Sequence, residues 1–246
     1  MFTTLTALVV GAVFFSALLR GIAGFGFALA AVPILSLVLP PLQAVTLAVL
    51  MQVIVGVHDI FSMHSNVHKP TLMRLCLGSL LGTPIGIFAL AALSPDAARI
   101  LIAAAVLGGL ALLLRYKPTE PRPRHGLALF AGVASGAFSG LAAMPGPPAV
   151  AFYLGSGISA VQTRASLFLF FFVTALIATP GLIIAGGVSA QILALTVISI
   201  PALALGTKVG TEVFNRLDGD QYRQVAIGVM GLSAVIAGWR GLSGYI

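Results

Sequence analysis

The chain has 246 residues, 59% of them hydrophobic and 8% charged, with a formal net charge of +7. A soluble domain carries about 25% charged residues, so this composition cannot build a water-soluble surface. Uncharged runs at 1–19, 21–57, 75–95, 165–207 and 224–239 instead reach the length of about 18 apolar residues that marks a membrane span.

The expected class is an all-α polytopic membrane protein. Hydrophobic segments fall at 2–20, 27–39, 42–61, 71–92, 97–115, 126–143, 147–157, 160–185, 189–214 and 221–240. The first lacks a basic start and a small-residue cleavage pattern, so it is taken as a retained span. The segments 27–39 and 147–157 are too short, at about 1.5 Å per residue, for a hydrocarbon core of about 30 Å. They are expected to be broken or re-entrant half-helices, and the other eight to span. Pro40-Pro41 ends one segment and starts the next. Ser94-Pro95-Asp96 has the form of a helix start, with a serine cap, a first-turn proline and an acid near the positive end. Pro118, Pro121 and Pro123 make 116–125 a linker. It divides a first transmembrane repeat, 1–115, from a second, 126–246. Arg115, Lys117, Arg122 and Arg124 outnumber Glu120 there, which places the linker on the cytoplasmic side. The basic residues gather at helix ends, so the net charge is no argument for nucleic acid.

The division rests on an internal repeat. Gly82-Thr83-Pro84-Ile85-Gly86 returns 124 residues later as Gly206-Thr207-Lys208-Val209-Gly210, and Leu93, Asp96 and Arg99 fall opposite Leu217, Asp220 and Arg223. Gly24-Phe25-Gly26-Phe27 has a counterpart about 120 residues on, in Met144-Pro145-Gly146-Pro147. A duplicated hydrophobic unit with an interrupted segment is the pattern of a secondary transporter. Transporter precedent favours inverted repeats, and the parity of spans per half leaves parallel ones open.

The breaks are the first candidate site. Glycines permit strained backbone, and non-helical backbone at membrane depth has to line a cavity or be buried in protein. The half-helix that follows aims free N–H groups and a positive dipole end at that cavity, an arrangement suited to an anion. In the second half, prolines 145, 147 and 148 are expected to force the same break. Alternatively, the glycines serve close helix packing. Arg20 either neutralises an anion at the cavity or sits at the headgroups, and Arg164 is a gate, a substrate contact or a helix-end anchor. Gln52 and Thr46 can hydrogen-bond a substrate or a neighbouring helix. His58 and Asp59 are the groups a proton-coupled carrier needs, unless they are interfacial. Lys208 lies within an apolar span one turn from Glu212, as a functional group or as a snorkelling i, i+4 pair. His64 and His68 have metal-ligand spacing without acidic or thiol partners. Cys76 is the one cysteine, which excludes an intramolecular disulfide. No HExxH, Walker loop or nucleophile elbow is present, so no enzyme, metal or cofactor is expected.

These residues resemble the sulfite exporter TauE/SafE family over nearly the whole chain. The likeness is carried by Gly21 to Pro33, Leu39-Pro40-Pro41-Leu42-Gln43-Ala44-Val45, Ser65-Asn66-Val67, Gly82 and Gly86, Gly132 to Gly140, Pro145-Gly146-Pro147-Pro148, and Gln162-x-Arg164-Ala165. Pro145 stands where the family pattern has glycine. The resemblance implies a secondary transporter, an exporter of sulfite or a small organosulfonate, in a bacterial cytoplasmic (inner) membrane. The expected partners are that small anion and the bilayer, with a homodimer as an option. Substrate contact is expected from Gly24, Phe25, Gly26, Phe27, Met144, Pro145, Gly146, Pro147, Arg20, Gln52 and Arg164, and coupling from His58, Asp59 or Lys208. An anion channel with the same glycine-lined features is the alternative.

Overall fold

A computed structural model describes residues 2–23, 26–63, 67–115 and 125–214. It contains α1 (Phe2–Ala23), α2 (Phe27–Leu35), α3 (Pro41–Met63), α4 (Lys69–Ala92), α5 (Pro95–Arg115), α6 (His125–Ala142), α7 (Gly146–Leu154), α8 (Ala160–Ile184) and α9 (Ala190–Phe214). Among the described residues α1, α3, α4, α8 and α9 are long and apolar enough to cross a membrane. That is five of the eight expected spans. The apolar part of α6, Gly126–Ala142, is shorter, α5 is not among the five, and 221–240 lies outside the described residues, as does most of the linker.

Local chemistry sets the helix starts. Ser94, Ser159 and Ser189 accept from the backbone N–H of Ala97, Gln162 and Ile192, each a serine cap on an otherwise unsatisfied donor. Pro41 and Pro95 open α3 and α5, where a missing N–H has no cost. The short segments are shorter than expected. Ser36–Leu39 form tight turns after α2, with Leu37 N–H donating to Ile34 and Val38 to Leu35, and α7 stops at Gly155.

Two helix pairs touch backbone to backbone. On α4, a Cβ at Gly78, Gly82 or Gly86 would collide with the main chain of α6 at Leu129, Val133 and Ala137. Facing them, Gly132, Gly136 and Gly140 of α6 lie against Leu75, Ser79 and Thr83. The second pair is α1 with α9: Gly206 and Gly210 press on Phe14 and Leu18, and Gly21 presses on Thr207. Close approach of this kind is a main source of helix association in lipid, where burial of apolar surface gives no driving force. α1 thus packs on α9, and α6 on α4. Gly26 to Pro145, the residues preceding α2 and α7, and Leu35 to Leu154, their last residues, are both steps of 119, which refines the sequence alignment of about 120.

Helix α2 is buried on all sides, from Phe27 through Val32 with Pro33 and Leu35, and packs on α1 and α3. A helix too short to span is thus enclosed in protein, as its exposed ends require. Substituting Gly82 or Gly136 by valine should lower the detergent melting midpoint sharply, by a cost of about 1–3 kcal/mol or more for overpacking. Valine at Gly108, where no atom lies within 4 Å of an added Cβ, should shift it little. A thermal-unfolding series on the three variants checks the contrast.

Candidate functional site

The two helix breaks line one cavity, with Gly26, Phe27, Ala28 and Leu29 on one side and Ala143, Met144, Pro145 and Gly146 on the other. From α3 come Gln52, Val55, Gly56 and Asp59, a single face at i, i+3, i+4, i+7. Phe168, Phe171 and Phe172 of α8 and Arg20 of α1 complete the wall. The free volume is about 30 Å³. A water molecule needs about 10–15 Å³ of such space, so the site has room for a compact ion.

Each break has its own construction. Gly26 has φ 94°, a conformation that glycine adopts at no steric cost. In the second half the break is made by Ala143 at φ 54°, the one non-glycine residue with positive φ among those described. Its N–H donates to the Ser139 carbonyl at 2.8 Å, closing α6 with a left-handed cap. Alanine there costs roughly 1–2 kcal/mol. Gln52 Nε2 donates to the Ala143 carbonyl at 2.8 Å, so α3 grips the strained residue directly. The left-handed turn falls two residues before the first of the prolines. Pro145 precedes α7, and Pro147 and Pro148 occupy its first turn, where a helix tolerates them.

That placement makes the two half-helix ends unequal. No side chain caps α2, and its first three residues, Phe27, Ala28 and Leu29, each carry an N–H. The first three of α7 are Gly146, Pro147 and Pro148, with one N–H between them. The first turn of α2 therefore offers more free N–H groups than that of α7. The negative end of α2 is matched: Arg99 Nε donates to the Ser36 carbonyl at 3.3 Å while pairing with Asp96 at 2.7 Å.

Arg20 is 6% exposed and Asp59 8% exposed, so both are buried in the cavity wall. They form an ion pair through Arg20 Nη2 and Asp59 Oδ2, and the guanidinium lies 4.9 Å from the Phe168 ring centroid. The other Asp59 oxygen is 3.9 Å from His58 Nδ1, and the His58 side chain is 79% exposed. Lys208 is exposed on α9 and is not part of the cavity wall. Pro147 is buried in α7 behind the wall. Arg164 belongs to the first turns of α8, its side chain outside the described part. Gly24, Phe25 and His64 lie outside the described residues. Thr46 donates to the Leu42 carbonyl of its own helix. His68 Nδ1 is bonded to Thr71 Oγ1, and no group able to hold a metal occurs among the described residues.

Sequence reasoning missed Ala143, Val55, Gly56 and the α8 phenylalanines. One signal was present: the 119-residue offset puts Phe171 opposite Gln52. The model of a known family matches this chain over residues 9–236, and that family is the sulfite exporter TauE/SafE family. The chain belongs to the TauE/SafE family. A relative from Cupriavidus necator (strain H16), described as a probable sulfite/organosulfonate exporter TauE, is 28% identical over 158 residues. That similarity spans 63% of this chain and 62% of the relative, so under two thirds of the relative's length is matched. No solved structure matches the chain. TauE/SafE is a transporter family, which agrees with a broken-helix cavity deep in an apolar bundle.

The strain at Ala143 has a measurable consequence. Ala143→Gly should raise the melting midpoint, by about 1 kcal/mol of relieved strain, and Ala143→Val should lower it, since a β-branched residue tolerates positive φ poorly. Thermal unfolding of both variants in one detergent checks the sign of each.

Proposed function

We propose that this chain is a secondary carrier that exports a small anion, sulfite or an organosulfonate, by alternating access around the cavity between the two breaks. The carrying observation is the convergence of an uncapped half-helix N-terminus, a buried arginine and both breaks on one compact cavity. Family membership and the name of the C. necator relative support the substrate class.

In this reading the anion sits at the N–H groups of Phe27, Ala28 and Leu29, within reach of Arg20, with Met144 to Gly146 and the α8 phenylalanines closing the opposite wall. Gly24, Phe25 and Arg164 are further contacts or gates on its path. The halves are inverted repeats; the exchange of partners between α1–α9 and α4–α6 supports a two-fold relation between them. The basic linker faces the cytoplasm of a bacterial cell, in its inner membrane. Outward movement of an anion across an inside-negative membrane is favourable by about 2.3 kcal/mol per charge per 100 mV, so export needs no proton. If a proton is carried, Asp59 at the cavity and the exposed His58 beside it are the groups able to take it, and Lys208 would act only from the outer face of α9.

Purified protein in liposomes should show saturable sulfite uptake and trans-stimulated counterflow. Current without counterflow would instead mark a channel. Gly146→Leu should abolish the flux while Gly146→Ala should largely keep it, because an added Cβ meets Phe171 at an ordinary 3.6 Å and a leucine fills the cavity. Normal flux through folded Gly146→Leu protein would overturn the site assignment.

A further inference from the structure

We propose that Asp59 is a built-in stand-in for the transported anion: it occupies Arg20 in the unloaded carrier and yields Arg20 when the oxyanion binds. The proposal rests on the site described above and assigns it a device for returning empty.

A guanidinium buried to this depth cannot be left without a counter-charge. Arg20 is 6% exposed, one of its faces is covered by Phe168, and its fork is engaged by Asp59 Oδ2. A carboxylate and a sulfur oxyanion offer that fork the same chemistry, two acceptor oxygens in reach of parallel N–H donors. The two therefore compete for one group. Displaced, Asp59 has a second partner in place, since its Oδ1 lies 3.9 Å from His58 Nδ1 on the exposed side of α3. Arg20 and His58 are the charged or titratable groups facing Asp59 among the described residues. The neighbouring wall from α8 is Phe168, Phe171 and Phe172.

The architecture itself does not require the pair. The positions 119 residues on are Ser139 and Ala178, both buried and uncharged. The second half thus closes its break with no ion pair at the equivalent place. A pair needed only to hold a broken helix would be expected twice. A pair that serves one anion is needed once, on the side where α2 presents its free N–H groups.

The consequence for transport is specific. With substrate on board, Arg20 is neutralised by the substrate, and reorientation needs no carboxylate. Without substrate, Asp59 is the carboxylate paired with it. Asp59→Asn should therefore tighten sulfite binding and lower net sulfite efflux by at least about fivefold relative to sulfite–sulfite exchange. Both fluxes are read in the same proteoliposomes with labelled sulfite, and affinity by titration calorimetry. Asp59→Glu, which keeps the charge, should restore the wild-type ratio of net flux to exchange. A folded Asp59→Asn protein with an unchanged ratio, or with weaker sulfite binding, overturns the proposal. A second measurement needs no Asp59→Asn protein: sulfite added to the wild type should shift a carboxylate band in the infrared difference spectrum, and Asp59→Glu should move that band. Its absence in a protein that transports sulfite equally overturns the proposal. A wild type without sulfite counterflow would instead bring down the functional reading beneath it.

Discussion

Backbone-to-backbone contact between α4 and α6, and between α1 and α9, is the constraint on which the rest of the molecule depends. Lipid offers no hydrophobic reward for pressing two helices together, so the pairs hold through close packing along glycine stripes. The contacts run to the ends of the clamped helices. Gly140 is two residues from the end of α6 and Gly21 two residues from the end of α1. Each break thus begins where a rigid clamp stops. The position of the cavity follows, because both breaks are held against the same face of α3.

Within that frame the two halves do different electrostatic work. The first half supplies an uncapped helix end, a buried arginine and its carboxylate partner. The second supplies a strained alanine, a proline-filled first turn with one N–H, and an aromatic wall from α8. A site with equal halves would hold an anion between two equal positive ends. This one has a charged side and a shaping side.

Much of this was legible in the sequence. Charge-free runs located the long helices within a few residues, and the repeat pointed to both breaks, because composition and periodicity report directly on what lipid permits. Gln52 was singled out as a polar group in an apolar helix, and Arg20 and Asp59 as charges near span ends, at a cavity or at the interface; all three line one cavity. Two kinds of information were not readable. Burial was one: Arg20 at the end of a span and Lys208 inside another look alike in sequence, yet one faces the cavity and the other faces outward, since only packing decides which helix face is enclosed. Backbone conformation was the other. Three prolines near residue 145 pointed to a break there, but not to the left-handed turn at Ala143 just before them. An alanine at positive φ carries no mark in the sequence, because it is held there by Ser139 and Gln52 and not by its own preference.

The central claim is that a small oxyanion binds at the first turn of α2 beside Arg20. The most direct measurement is a high-resolution structure of the reconstituted protein soaked with selenite, a heavier analogue of sulfite whose selenium can be located by anomalous scattering. The account predicts one selenium position within hydrogen-bonding reach of the Phe27, Ala28 and Leu29 amides and the Arg20 guanidinium, with Asp59 moved off Arg20. A selenium position at the first turn of α7, or at Lys208 on the outer face of α9, would contradict it.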